Sequence, residues 1–398
     1  MRSNLYLLLL IVMLSCNKNT TKNISNSAST ADLNTEKCLQ ALTDRAIADL
    51  ILVPIDSVAI PRTITEDGVM EGTKSKSWTS GFYPGMLWQL YEFSKDQNLK
   101  QAAMKWSSFV EKEKLDTDTH DLGFKIYCPF GNAYKITKND GYRDIYVTAA
   151  KTLSARYNPT IGAIRSWDFN ADIWDFPVII DNMMNLEMLF EASLATGDST
   201  FYHIADNHAT TTLANHFRSD NSSYHVVDYS PSTGKVNEKY THQGHSRDSA
   251  WSRGQAWGLY GFTVAYRYTK NDKYLEQAKA IADYIFNHPN LPEDNIPYWD
   301  YNAPNIPNEP RDASAAAVTA SGLLELSTHV PSNKDQYQEW ADNILESLKS
   351  DKYASDIPPY FLQHSVGSIP GDFEIDTPII YADYYYVEAL MRHHQLGL

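Results

Sequence analysis

One aspartate follows a run of apolar residues in the segment FPVIIDNMMNLEMLFEA, residues 176–192. Asp181 comes directly after five apolar residues and precedes a long, mostly apolar helical segment. Two roles are open to it. Its carboxylate could cap the helix that follows, because Asp accepts hydrogen bonds from free backbone N–H groups at a helix start. Alternatively, the apolar surroundings could keep the acid protonated, so that it can donate a proton.

A second carboxylate, Asp121, lies in DTHDLGF, residues 118–124, next to His120. It could hold a turn before Gly123, or it could pair with Asp181 for acid–base chemistry. The run DTDTHD resembles the start of a calcium loop. However, Tyr127 stands where such a loop carries its twelfth-position Glu, so we expect no calcium site.

Two further segments are rich in residues that bind sugars: SWTSGFYPGMLW, residues 77–88, and THQGHSRDSAWSRGQAWGLYG, residues 241–261. Trp faces pack on sugar C–H surfaces, and Arg and Gln bind carboxylates or hydroxyls. These segments supply stacking Trp residues, an Arg and several His and Gln side chains. His242 and His245 have a spacing seen in metal sites but lack a clear third ligand, so we expect no metal. Together with the two acids, these residues predict a carbohydrate site.

The composition narrows the class of partner. The chain has 398 residues, of which 43% are hydrophobic and 21% charged, as in a folded globular protein. Its net charge of -15 argues against nucleic acid and against an anionic membrane surface as partners. An anionic small molecule stays possible, because a few local Arg residues can outweigh the overall field.

The N-terminus predicts export. Arg2 precedes the apolar run LYLLLLIVML, which is too short to span a bilayer, and the run ends at Ser15-Cys16. We expect residues 1–15 to be a lipoprotein-type signal peptide and Cys16 to be lipidated. Residues 16–36 would then form a flexible polar tether, and the protein would be anchored to the bacterial membrane, facing the periplasm or the cell surface. An ordinary cleaved signal with an incidental Cys is the alternative.

The fold must place these scattered residues in one site. Helical periodicity recurs along the chain, in hairpins whose polar turns are SKDQN, TKND, TGDST, TKNDK and PSNKDQ. The first helix of each hairpin is apolar all round and the second has a polar face, which indicates buried and outer helices. With further helices near 37–52, 140–156 and 378–394, the count reaches about twelve. We therefore predict an all-α, single-domain (α/α)6 barrel of six helical hairpins over residues 37–398; an open α-solenoid is the alternative.

The motifs HDLGF, IIDNMMNLEMLF and QGHSRDSAWSRGQAWGLYGF resemble, in order and separation, those of the unsaturated glucuronyl hydrolases of glycoside hydrolase family 88. The resemblance covers the whole chain after the tether. Glycoside hydrolase family 105, which acts on unsaturated rhamnogalacturonan fragments, shares the fold and chemistry. The combination of HDLGF with WSRGQAW favours family 88.

The resemblance implies an unusual hydrolysis. Polysaccharide lyases leave a terminal uronate with a C4=C5 double bond, and the family's acid protonates C4 so that water adds at C5. Carried over by motif, Asp181 is the general acid and base, and Asp121 is the second carboxylate. The implied substrate contacts are Gln243 and Arg253 at the uronate, His120 and His225 at the sugar, and Trp78, Trp251 and Trp257 lining the pocket.

No cofactor or metal is implied, and the expected partners are unsaturated oligosaccharides of glycosaminoglycan or ulvan type. The aglycone cannot be chosen from the sequence. Two other classes stay open: a surface glycan-binding lipoprotein without catalysis, and a sugar epimerase on the same barrel. The first would have no use for two acids. The second would need paired His bases on inner helices, whereas the His residues here fall mainly in predicted loops.

Overall fold

The computed structural model describes residues 34–398, and these form one compact unit. The predicted signal peptide, the lipidation of Cys16 and most of the tether fall outside the described residues. The first helix already begins at Thr35, inside the range predicted to be tether. Within residues 34–398, no helix is both long and apolar enough to cross a membrane.

Twelve α-helices run through the described part of the chain. They are α1 Thr35–Asp49, α2 Phe82–Ser94, α3 Gln97–Val110, α4 Asn132–Thr137, α5 Asp140–Ser154, α6 Leu186–Thr196, α7 Ser199–Asn215, α8 Ser252–Thr269, α9 Asp272–Asn287, α10 Ala313–His329, α11 Lys334–Lys349 and α12 Ile380–Leu396. A π-helix, Gly123–Gly131, leads into α4, and a 3-10 helix, Ile180–Asn185, leads into α6.

The helices form two concentric rings. The inner ring consists of α2, the π-helix with α4, the 3-10 helix with α6, then α8, α10 and α12, each packed on the next. The ring closes because α12 packs on α2, while α1 lies against both from outside. Closure excludes the open solenoid and confirms the (α/α)6 barrel. Because inner and outer helices alternate along the chain from α1 to α12, all inner helices run in the same direction, and their N-terminal ends share one end of the barrel, the mouth.

Four of the hairpin turns have the same construction. The first helix ends on a residue in the left-handed conformation, namely Lys95, Lys138, Gly197 or Lys270. The next residue is Asp or Asn, and its side chain accepts a backbone N–H of the following helix. The C-cap of the first helix and the N-cap of the second are thus adjacent residues. Together they provide hydrogen-bond partners for free backbone C=O and N–H groups at the two helix ends. The similar turn sequences in the chain encode this geometry.

Three small antiparallel sheets add to the helices: β1 Ile60–Ile64 with β2 Met70–Thr73, β3 Tyr157–Asn158 with β4 Ala163–Ile164, and β5 Pro177–Ile179 with β6 Val226–Tyr229 and β7 Val236–Tyr240. In the last sheet, Ile179 pairs with Val226. Asp181 follows shortly after the end of β5, and His225 directly precedes β6. The pairing therefore brings these two side chains together at the mouth.

Close approaches at two glycines lock the three sequence motifs together. A Cβ on Gly123 would lie 2.6 Å from Asn185 Oδ1, which accepts the backbone N–H groups of Gly123 and Phe124. A Cβ on Gly261 would lie 2.4 Å from the Cβ of Met183. Larger residues at either glycine would push these helices apart. The Asp121 motif, the Asp181 motif and the Arg253 motif are thus held in contact by backbone packing.

Candidate active site

A pocket at the mouth gathers most of the residues predicted to do chemistry. Its walls come from the N-terminal ends of inner helices and from the loops before them. Its lining residues are Trp78, His120, Asp121, Phe124, Trp167, Ile179, Asp181, Gln243, Arg253, Gly367, Phe373, Glu374 and Tyr381. Six of the nine predicted catalytic and substrate-binding residues are in this set.

Asp181 is the second residue of the 3-10 helix, and its side chain is 14% exposed. Ile179 occupies the N-cap position, and no side chain caps this helix. The helix-cap interpretation is therefore wrong, although the acid does lie in the first turn. Burial raises the pKa of Asp181 to about 7, the carboxylate of Asp121 acts in the same direction, and the Arg253 guanidinium opposes both. At neutral pH a large fraction of Asp181 thus carries its proton.

His225 lies behind Asp181, with Nε2 3.5 Å from Asp181 Oδ2. Its Nδ1 accepts the backbone N–H of Gln243 at 3.1 Å, which places the ring proton on Nε2, towards the acid. Burial lowers the pKa of His225 well below its ordinary value. A neutral imidazole adds no positive charge beside Asp181, so it does not undo the rise in the acid's pKa.

Asp121 borders the pocket beside a second buried histidine. His120 Nε2 lies 3.3 Å from Asp121 Oδ1, and the hydroxyl of Thr119 donates to Asp121 Oδ2 at 3.0 Å. Burial lowers the pKa of His120. The arrangement keeps Asp121 oriented as an acceptor at the pocket surface, where it can reach sugar hydroxyls and act on Asp181 through its charge.

Arg253 is 1% exposed, and much of its guanidinium is already occupied. Nη1 donates to Asp312 Oδ2 at 3.0 Å and to the carbonyl of Val366, and Nη2 donates to the carbonyl of Gly367 at 2.7 Å. Nε has no hydrogen-bond partner in the described structure. The sequence assigned Arg253 to the substrate alone. The structure shows that it also fastens the loop at residues 366–367 to the barrel.

The three predicted pocket tryptophans separate into two groups. Trp78 lines the pocket and packs on Tyr381 with ring centroids 4.9 Å apart. Trp251 and Trp257 are at most 2% exposed and lie behind the pocket surface. Trp257 packs on Phe124 with ring centroids 5.4 Å apart. These two rings and His225 are not part of the pocket surface, and their contact with a sugar stays a prediction.

Several lining residues were not predicted from the sequence. They are Phe124, Trp167, Ile179, Gly367, Phe373, Glu374 and Tyr381. Phe124 and Ile179 lie within the quoted motifs and could have been found by their proximity to the two acids. Trp167 lies in the aromatic-rich stretch before β5. Residues 367–374 come from a loop far along the chain, whose sequence carries no signal of a site.

Neither metal nor disulfide chemistry is indicated in the part of the chain that the structure describes. Within residues 34–398, no group of three or more His, Cys, Asp or Glu side chains could hold a metal ion. Cys38 and Cys128 are both free thiols.

Comparison with known proteins agrees with this geometry. Residues 58–273 match the family model described as Glycosyl Hydrolase Family 88. An unsaturated glucuronyl hydrolase of Formosa agariphila is 48% identical over 354 residues, which cover 88% of each chain. An unsaturated chondroitin disaccharide hydrolase of Streptococcus pneumoniae is 35% identical, and the match covers 84% of this chain and 86% of that protein.

Solved structures extend the likeness to three dimensions. A crystal structure of an unsaturated glucuronyl hydrolase specific for heparin matches with a TM-score of 0.87 and 45% identity, covering 91% of this chain and 98% of that one. The unsaturated glucuronyl hydrolase of Bacillus sp. GL1, responsible for the degradation of glycosaminoglycan, matches with a TM-score of 0.85 and 30% identity, covering 90% and 97%. The chain therefore belongs to glycoside hydrolase family 88.

Proposed function

We propose that this glycoside hydrolase removes the 4,5-unsaturated uronate from the non-reducing end of oligosaccharides that polysaccharide lyases produce. The observation that carries the proposal is Asp181, a pocket acid whose pKa is raised to about 7. An acid that must give a proton to carbon at neutral pH needs such a pKa. An aspartate with an ordinary pKa would already be ionised.

In the proposed reaction, Asp181 transfers its proton to C4 of the C4=C5 bond. Positive charge then develops at C5, where the ring oxygen shares it. The Asp181 carboxylate, now ionised, takes a proton from a water molecule that adds to C5. The resulting hemiketal opens to a keto group at C5, and the aglycone leaves without attack at C1. Asp181 ends the cycle protonated, as it began.

The other pocket groups position the sugar and balance charge. Asp121 and His120 can accept and donate hydrogen bonds to ring hydroxyls, and Trp78 offers an aromatic face. Gln243 and Arg253 line the pocket and are the proposed donors for the uronate carboxylate. The inner helices all begin at the mouth, and their positive ends favour an anion there despite the net charge of -15.

The alternative functions fit the pocket less well. A glycan-binding protein without catalysis would gain nothing from an acid whose pKa is raised. An epimerase would need two histidine bases facing the sugar, but His225 lies behind Asp181 and is not part of the lining. A rhamnogalacturonan-type substrate differs in the aglycone and shares the same reacting bond, so substrate choice must be measured.

The test uses purified protein and a lyase-generated disaccharide, and it follows the ultraviolet absorbance of the C4=C5 bond. We expect the absorbance to fall, with one deuterium at C4 when the reaction is run in heavy water. In heavy-oxygen water, label should appear at the C5 keto group, read early or after rapid reduction because ketones exchange. Label confined to C1, as in an ordinary glycosidase, would rule out hydration.

We further propose that the enzyme is exported and lipid-anchored through Cys16. The support is the sequence alone: an apolar segment too short to span a bilayer, ending at Ser15-Cys16, and a polar tether after it. Full-length protein expressed in a bacterial host should partition into detergent and incorporate labelled fatty acid. Cys16→Ser should abolish both, and Cys38→Ser should change neither. Unlabelled wild-type protein would contradict the anchor.

A further inference from the structure

The loop that carries Trp167 into the pocket has no regular secondary structure. Residues 165–168 lie between β4 and β5, and neither a helix nor a strand fixes their backbone. Trp167 lines the pocket, and its ring contacts that of His225, with centroids 5.5 Å apart. His225 in turn lies behind Asp181. The position of this loop, which we call the Trp167 loop, therefore affects both the pocket wall and the surroundings of the acid.

One buried arginine binds the backbone of the Trp167 loop. Arg156 lies two residues after the end of α5, and its side chain is 7% exposed. Its Nε donates to the carbonyl of Arg165 at 2.9 Å, and Nη2 donates to the carbonyl of Ser166 at 3.2 Å. The backbone carbonyl of Arg156 accepts the N–H of Arg165 at 3.0 Å. Arg156 thus holds the backbone on the N-terminal side of Trp167.

The same guanidinium reaches the loop that carries Asp121, residues 116–121. Nη1 donates to the carbonyl of Thr117, and to Asp168 Oδ2 at 2.7 Å. Between Thr117 and Asp121, the hydroxyl of Thr119 donates to the Asp121 carboxylate at 3.0 Å. Asp121 and Trp167 both line the pocket. One side chain therefore joins two pocket loops at the C-terminal end of an outer helix.

We propose that Arg156 is a positioning residue, which holds the Trp167 loop and the Asp121 loop in the relative position that substrate binding needs. This role rests on the proposed hydrolase function. Arginine suits it because a planar guanidinium offers five N–H donors in a fixed geometry, whereas lysine has one ammonium group on a flexible chain. Arg156 is not part of the active-site lining, so it acts through Trp167 and Asp121.

The first experiment measures kcat and KM of Arg156→Met on a lyase-generated disaccharide. We expect kcat/KM to fall about tenfold, chiefly through KM, because Thr119 and His120 still orient Asp121. Arg156→Lys keeps the charge but cannot bind both loops, so its kcat/KM should stay about fivefold or more below that of wild type. If Arg156→Met does not fold, Arg156→Lys carries the test. Full activity in Arg156→Lys would overturn the proposal.

A double-mutant cycle with Trp167→Ala shows whether Arg156 acts through this ring. In the Trp167→Ala background, Arg156→Met should lower kcat/KM by no more than about twofold, because the ring that it positions is gone. An undiminished loss in that background would overturn the proposal.

A first control separates positioning from stability. Arg45→Met also removes an arginine that donates to two backbone carbonyls, those of Ser355 and Tyr360, in a loop that does not line the active site. It should lower the midpoint of denaturant unfolding and leave KM unchanged. An equal rise in KM for Arg45→Met and Arg156→Met would overturn the proposal.

A second control separates positioning from charge. Asp168, 46% exposed, pairs with Arg156, and Asp168→Asn removes its negative charge while keeping an acceptor. Its KM should stay within about twofold of wild type. A KM several-fold lower would overturn the proposal, since the local charge rather than the loop position would then control binding of the anionic substrate. Failure of the hydrolase proposal looks different, because wild type itself would then cause no loss of absorbance.

Discussion

The mouth and the opposite end of the barrel both bury carboxylates, but they shift carboxylate pKa values in opposite directions. At the opposite end, which we call the base of the barrel, Glu325, Arg267 and Arg392 come from the C-terminal halves of inner helices. Glu187 pairs there with Arg267, and Glu388 pairs with Arg392. Arg267 Nε lies 2.9 Å from Glu325 Oε1, and Arg392 Nη1 lies 3.0 Å from Glu325 Oε2. At the mouth, Asp181 has Arg253 nearby, but that guanidinium is paired with Asp312.

Burial opposes ionisation at both ends, so the counter-charges decide the outcome. At the base, Arg267 and Arg392 overcome burial and lower the pKa of Glu325 to about 2. At the mouth, burial prevails and raises the pKa of Asp181 to about 7. The base is therefore an ion-pair network that holds helices together, whereas the mouth holds an acid able to keep and release a proton.

The largest effect should follow from Asp181→Asn. The amide keeps the shape but carries no proton to donate, so kcat should fall by ~10³-fold or more, with folding and substrate binding retained. Initial rates on a lyase-generated disaccharide and circular dichroism measure the two properties. The control is Asp383→Asn, because burial also raises the pKa of Asp383, to about 8, but its Oδ1 accepts the N–H of Leu362 outside the pocket. A near-normal rate in Asp181→Asn would remove the acid assignment.

The pH profile tests the link between the two pocket acids. Protonated Asp181 is the reactive form, so kcat/KM of wild type should fall as the pH rises through about 7. Asp121→Asn should lower kcat by ~10²-fold and move this limb to lower pH, because it removes a negative charge that raises the pKa of Asp181. If the kcat/KM of Asp121→Asn fell over the same pH range as that of wild type, Asp121 would not influence the pKa of Asp181.

At the base, Arg267→Met should affect stability more than chemistry. It leaves Glu187 and Glu325 with less positive charge, in a partly exposed network, and should lower the free energy of unfolding by about 2 kcal/mol. Denaturant unfolding measures the loss, and KM at a temperature where the variant is folded should match wild type. A change in KM comparable to that of a pocket variant would contradict a purely structural base.

The last test compares the pH dependence of stability in two variants. Asp181 has a raised folded pKa, so wild type loses stability as the pH rises from about 4 to about 7, and Asp181→Asn should gain on wild type over that range by up to about 4 kcal/mol. Glu325 has a lowered folded pKa, so Glu325→Gln should be less stable at pH 7. Its deficit should shrink as the pH falls towards 2. If both variants were less stable than wild type at pH 7, the proposed difference between the mouth and the opposite end of the barrel would be contradicted.

The sequence by itself determined the helical hairpins and the identity of the acids. Turns such as SKDQN and TGDST contain the C-cap of one helix and the N-cap of the next within two residues. Helices that are apolar on all sides must lie inside those that have a polar face. The apolar run before Asp181 indicated a raised pKa, because local neighbours in a strand and a short helix are also neighbours in space. These properties follow from contacts between residues close in the chain.

Only the tertiary structure decided how the acids are surrounded. Arg253 is held by Asp312 and by the carbonyls of residues 366 and 367, all more than fifty positions away. The tautomer of His225 depends on the backbone N–H of Gln243, across the sheet of β5, β6 and β7. Gly367, Phe373 and Glu374 line the pocket, although the sequence around them carries no signal of a site. Periodicity and turn chemistry report local preferences, whereas the partner of a buried charge is set by which distant segments the closed barrel brings together.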